Sequence, residues 1–270
     1  MYRGVSMSYL AKMTRPEVEK YLDENDVVLI PVGSTEQHGK HLPFDNDAFS
    51  AFEIAKRVAE KTGVLYTPVM PFGYSKHHLN FPGSISLESQ TLVNVYKEIC
   101  RSLLSHGFKK IIIMNGHGGN TSWISQAQAE IFYEEGVRIF SLMIFNSASG
   151  FGEEALRVIE QESGGHACEM ETSFSGYLGQ RVVKDSAEDW EEPEAWTELT
   201  RKYRSKVSTA RMFDEYTEIG SLGKPTLASD EKGKKLVDAV VNDIAEFVED
   251  LKKLDLDKAG AFYSSKHDGE

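Results

Sequence analysis

The chain has 270 residues, of which 40% are apolar and 27% charged, with a net charge of −12 and a pI near 5.2. This length and balance describe a globular protein able to bury one substantial core. The acidic surplus argues against nucleic-acid binding, which needs a basic face, and no apolar run nears the ~18 residues of a membrane span.

In chain order, Thr14, Pro16 and Glu17 carry a capping-box pattern that starts a short helix to about residue 22. Residues 27–32 form an apolar first strand, and residues 47–61 have helical spacing (Phe49, Phe52, Ile54, Val58) that stops at Gly63. A second strand is expected over 64–69, followed by a loop over 70–86 and a long amphipathic helix over 88–106. Residues 110–115 are apolar almost throughout, as suits a strand covered on both faces. A glycine turn over 116–119 leads to a helix that Asn120 caps and Gly136 stops. A fourth strand is expected over 137–145, a helix over 153–162, a break at 164–166 and a helix over 167–177. Residues 185–196 are acidic and polar and read as a loop, and 229–254 reads as a strong helix. The alternation over 27–145 predicts an α/β fold, a mostly parallel sheet with helices on both faces. We expect one domain over 1–255 and a loose tail over 256–270. Cys100 and Cys168 make no disulfide framework, and residues 1–6 lack the apolar stretch of a signal peptide, so a reducing, cytoplasmic setting is expected.

Three clusters carry chemistry. The loop after the first strand gathers Glu36, His38, His41, Asp45 and Asp47. The turn after the third strand holds His117 among glycines that let backbone come close to a ligand. Residues 166–173 supply His166, Glu169 and Glu171. Imidazole and carboxylate are the donors that hold zinc, manganese or iron, and in an open α/β sheet ligands bind at the carboxyl ends of strands. Glu169 and Glu171 lie about 200° apart on a regular helix, so only one of them enters a given pocket. His166 and Glu171 lie about 140° apart, and both serve one site only if His166 precedes the helix, which Gly164 and Gly165 allow. No G-x-S-x-G elbow is present, which argues against a serine hydrolase.

Four segments, in this order, resemble the creatininase (creatinine amidohydrolase) family: Pro31-Val-Gly-Ser-Thr-Glu-Gln-His-Gly-Lys-His-Leu-Pro43 with Asp47, Phe81-Pro-Gly-Ser-Ile-Ser-Leu87, Met114-Asn-Gly-His-Gly-Gly-Asn120, and residues 166–173. The resemblance spans roughly residues 10–250 and implies a creatininase-like three-layer sandwich, a homohexamer, and two divalent ions, zinc or manganese with iron possible. By motif, the metal ligands are Glu36, His38, Asp47 (bridging), His117 and Glu171. Glu171 takes the place of a family glutamate where this chain has Gly119. His166 matches the proton-transfer residue, and His78, Asn120 and Glu169 are the substrate-side candidates.

Creatininase has tryptophans about its substrate, whereas residues 143–146 and those before His166 hold none, so creatinine is not the expected substrate. The expected reaction is hydrolysis of a C–N bond in a small cyclic amide or formamide by metal-activated water. The alternatives are cleavage of a C–C bond in a cyclic diketone such as 3-dehydro-scyllo-inosose, or a metal-binding protein without turnover.

Overall fold

The computed structural model describes residues 8–145, 150–162, 165–203 and 206–259. Its centre is a four-stranded parallel sheet of β1 (Val27–Val32), β2 (Leu65–Tyr66), β3 (Lys110–Asn115) and β4 (Phe140–Met143), in the order β2-β1-β3-β4. β1 and β3 pair over their full length, Val27 opposite Lys110 through Val32 opposite Asn115. Both are buried throughout, and alternate residues enter opposite cores. Val27, Leu29, Ile112 and Met114 join one core with α2 (Asn46–Thr62), α5 (Glu169–Leu178) and α7 (Asp230–Lys253). Val28, Ile30, Ile111 and Ile113 join the other with α1 (Arg15–Glu24), α3 (Ser89–Ser105) and α4 (Thr121–Glu135). This is the expected α/β arrangement, a sheet covered on both faces.

The helix signals act as the sequence suggested. The Thr14 backbone N–H donates to the Glu17 carboxylate at 2.6 Å, and α2 and α4 stop at Gly63 and Gly136, both at φ +72°. Other segments depart from expectation. The second strand covers two residues instead of 64–69: Thr67 N–H still reaches Leu29 O at 2.9 Å, but the next bond to β1, at Pro31 O, comes from Met70 N–H at 3.0 Å rather than from Val69, so the regular register is lost. The fourth strand is four residues long. Residues 153–162 form not an α-helix but a 3₁₀ stretch, Glu153–Val158, because the next amides, Glu160 and Gln161, donate to the Glu169 carboxylate. The expected loop over 185–196 contains a bridge from Trp190 to Gly223 and the start of α6 (Glu194–Tyr203). Residues 256–259 form a helical turn. Asn146, Gly164 and residues 260–270 lie outside the described residues.

Strand order positions the site. The chain leaves β1 toward β2 and leaves β3 toward β4, so the direction of winding reverses between two adjacent strands. A crevice opens there, outside their carboxyl ends. The first turn of α2 seats on that crevice: a Cβ at Gly33 would overlap Ala48, and one at Gly116 would overlap the Asp47 carbonyl oxygen. Two glycines therefore bring Asp47 against the ends of β1 and β3.

Candidate metal centre

Glu36 and His38 leave β1, His117 leaves β3, Asp47 comes from the first turn of α2, and His166 and Glu171 flank the start of α5. All six are buried. His38 Nε2 lies 3.0 Å from Asp47 Oδ1, while His117 Nδ1 lies 3.1 Å from Asp47 Oδ2 and 3.3 Å from Glu36 Oε1. The two oxygens of Asp47 thus face two different histidines. Donor atoms of Glu36, His38 and Asp47 fall within 4.8 Å of one another, as do those of His38, His166 and Glu171. A third group of that size is Glu36, His77 and His117, and a fourth is Glu36, His78 and His166.

Backbone contacts aim these rings. His38 Nδ1–H donates to Glu36 O at 3.1 Å, and His117 Nε2–H donates to Tyr74 O at 2.9 Å. In a neutral imidazole the remaining nitrogen carries a lone pair, so each ring would turn a lone pair toward carboxylate oxygens about 3 Å away. Such an arrangement needs positive charge between the atoms, as a proton or as a cation. Asp47 Oδ2 is buried and faces the His117 ring nitrogen at 3.1 Å, a contact that a shared cation or a proton would satisfy.

The protonation pattern agrees. Burial alone would lower the pKa of His38, but Asp47 and the nearby Glu171 and Glu36 raise it to about 9. His117 is likewise held well above its usual value against burial by Glu36 and Asp47. Burial would raise Glu36, yet the His117, His78 and His166 beside it hold it well below the usual carboxylate range. Glu171 is pushed up to about 7, chiefly by burial. His166 is pushed down to about 3 by burial and by the charge on His38, and is neutral at pH 7.

His166 lies before α5, as the helix geometry required. It pairs with Leu222, and Ala167 follows at φ +48°, a left-handed conformation uncommon for a residue with a Cβ. That kink lets the Ala167 N–H meet Glu171 Oε2 at 2.5 Å while His166 Nδ1 sits 3.8 Å from Glu36 Oε1. His78 borders the same cavity, its Nε2 3.4 Å from Glu36 Oε1.

Asn120 and Glu169 are placed otherwise than at a substrate. The Asn120 amide donates to Gly33 O at 3.0 Å and accepts from Tyr74 N–H at 3.0 Å, tying the end of β1 to the 73–75 turn. The expected cap contact on α4 is not made by its side chain. Glu169 is fully buried, bound to Lys232 Nζ at 2.5 Å and to the amides of Glu160 and Gln161. Asp45 and His41, in the ligand-bearing loop, also face elsewhere: Asp45 accepts from Gln180, and His41 bonds Thr172 at 2.8 Å.

The sequence reading missed three neighbours of the centre: Gln37, His77 and Phe213. Phe213 packs on His78 and His166 at ring-centroid distances of 4.2 and 4.7 Å. His77 had a signal, its adjacency to His78. Phe213 had none, since it arrives from residues with no recognisable motif.

The chain is similar to several known proteins. The profile of the creatininase (creatinine amidohydrolase) family matches residues 11–248. The chain is 27% identical over 264 residues to the 3-dehydro-scyllo-inosose hydrolase of Thermotoga maritima, covering 90% of this chain and 83% of that protein. It is 30% identical over 228 residues to the mycofactocin precursor peptide peptidase of Mycolicibacterium smegmatis, covering 82% of this chain and 83% of that one. A solved creatininase variant of Zn–Zn type superposes with a TM-score of 0.77 at 25% identity, covering 92% of this chain and 99% of that chain.

Proposed function

The chain belongs to the creatininase family and is a metal-dependent hydrolase, and from that premise we propose that it cuts a C–N bond in a small cyclic amide or formamide. The observation that carries this reading is the Asp47 carboxylate set between the two inward-turned histidines, His38 and His117. Glu36 and His117 would hold one divalent ion and His38 and Glu171 the other, with Asp47 between them. Nitrogen and carboxylate donors suit zinc or manganese, and iron fits the same set.

When bound, such ions acidify a water toward neutrality and polarise a carbonyl. The side chains do the rest. His166 is neutral, and its Nε2–H is engaged by Gln37 O at 2.6 Å, so its Nδ1 lone pair faces the cavity. That nitrogen accepts the proton of the attacking water and delivers it to the leaving nitrogen, which would otherwise depart poorly. Phe213 and the buried ring of His78 exclude bulk water from the same space.

A second reading, cleavage of a C–C bond in a cyclic diketone, draws support from the inosose hydrolase, whose match covers 90% of this chain. There His166 would protonate carbon. We further propose a cytoplasmic homohexamer, a setting that suits the two free, buried cysteines. Among the described residues no helix is long and apolar enough to cross a membrane.

The test is turnover by zinc- and manganese-loaded protein of four substrates: creatinine, a formylaminopyrimidine, a short peptide amide and a cyclic 1,3-diketone. The proposal expects chelator-sensitive hydrolysis of an amide or formamide. Turnover of the diketone alone would favour the second reading, and turnover of none would overturn both.

A further inference from the structure

Gln37 lies between two ligand candidates, yet its side chain turns away from them. Its Oε1 accepts from Gly39 N–H at 2.9 Å, and its Nε2 donates to Gly220 O at 3.0 Å. A backbone N–H only donates and a carbonyl only accepts, so these contacts establish which end of the amide is nitrogen. The second Nε2 proton points at His78 Nδ1, 3.0 Å away. His78 Nδ1 is therefore an acceptor, and the neutral ring carries its proton on Nε2, the atom 3.4 Å from Glu36 Oε1. A lone pair at that atom, as metal ligation needs, would move the proton to Nδ1 and set two donors against each other across 3.0 Å.

The backbone carbonyl of the same residue orients His166. Its Nε2–H donates to Gln37 O at 2.6 Å, which leaves the Nδ1 lone pair 3.8 Å from Glu36 Oε1. Both rings are thus Nε2–H tautomers, but they turn opposite edges to the cavity, with centroids 4.7 Å apart.

We infer that Gln37 is a positioning residue that makes His78 a hydrogen-bond donor to the substrate carbonyl oxygen, rather than a further metal ligand, while His166 keeps the proton-accepting edge. A buried N–H aimed where negative charge develops stabilises a tetrahedral transition state without reorganising. The role of the substrate oxygen rests on the hydrolase reading above; the tautomers do not.

The experiment uses full-length, zinc-loaded protein labelled with ¹⁵N-histidine. Two-bond ¹H–¹⁵N spectra report which ring nitrogen is protonated, and signals of His78 and His166 are assigned by their loss in His78→Gln and His166→Gln. The expected result is a proton on Nε2 of His78, moved to Nδ1 in Gln37→Glu, whose carboxylate can only accept. Zinc content should stay at the unsubstituted level in His78→Met and His78→Gln. On whichever substrate is turned over, His78→Met should lower kcat by about 100-fold, the usual cost of removing one such donor, and His78→Gln, whose amide restores an N–H, should recover part of that loss. An unprotonated His78 Nε2 in the unsubstituted protein, or loss of zinc in His78→Met, would overturn the inference. Absence of any turnover would refute the hydrolase reading while the spectra still decide the tautomers.

Discussion

Loading the metal-free protein with zinc should expel protons, and the structure sets the number. At pH 7 His38, with a pKa of about 9, holds a proton on its carboxylate-facing edge nearly all the time. His117, held well above its usual value, holds another. Glu171, at about 7, is half protonated. All three must be deprotonated to serve as ligands, so binding should release about 2.5 protons per chain. At pH 9 Glu171 is already ionised and His38 half deprotonated, so these two contribute about one proton fewer than at pH 7 and the release falls. Because protons compete with the metal for these atoms, apparent affinity rises with pH across this window. The assay is isothermal titration calorimetry of zinc into full-length apoprotein in buffers of different ionisation enthalpy. Any proton lost by water in the site only adds to the count. A release below one proton at pH 7 would therefore refute the assignment of His38 and His117 as facing ligands around Asp47.

Two further substitutions test how the fold builds the centre. Gly116→Ala places a Cβ against the Asp47 carbonyl, with Ala51 Cβ only 3.2 Å away; it should cost about 1–3 kcal/mol in denaturant unfolding and reduce zinc content, and a variant with unchanged zinc stoichiometry would show that the first turn of α2 is not seated as described. Lys232→Met removes the cation bound to the fully buried Glu169 and should cost about 3–5 kcal/mol; a loss under 1 kcal/mol by urea unfolding would mean that Glu169 has other compensation.

Much of this architecture is local and was open to sequence reading. β1 and β3 are apolar runs that each end at a glycine, and the limits the sequence predicts are those of the structure. Helix stops at Gly63 and Gly136 follow from the residue that best tolerates a left-handed cap. The metal-side candidates were legible because carboxylate and imidazole crowd short loops at strand ends, where an α/β sheet opens its crevice. Helical period also stated the condition under which His166 and Glu171 could meet, and the Ala167 kink satisfies it.

The choice among equivalent polar residues belonged to the tertiary structure. Helical period says that Glu169 and Glu171 point apart but not where Glu169 goes; Lys232, 63 residues along the chain, claims it and leaves Glu171 for the cavity. Asn120 looked available until its amide was found bridging Gly33 and Tyr74. Gln37 took its role from the Gly220 carbonyl, 183 residues distant, and Phe213 reached the site from a segment without any motif. Periodicity and turn chemistry act over a few residues and are written in the chain's local order. Which buried donor meets which acceptor depends on contacts that exist only after the layers have packed, because a polar group shut away from water must find its partner wherever packing supplies one.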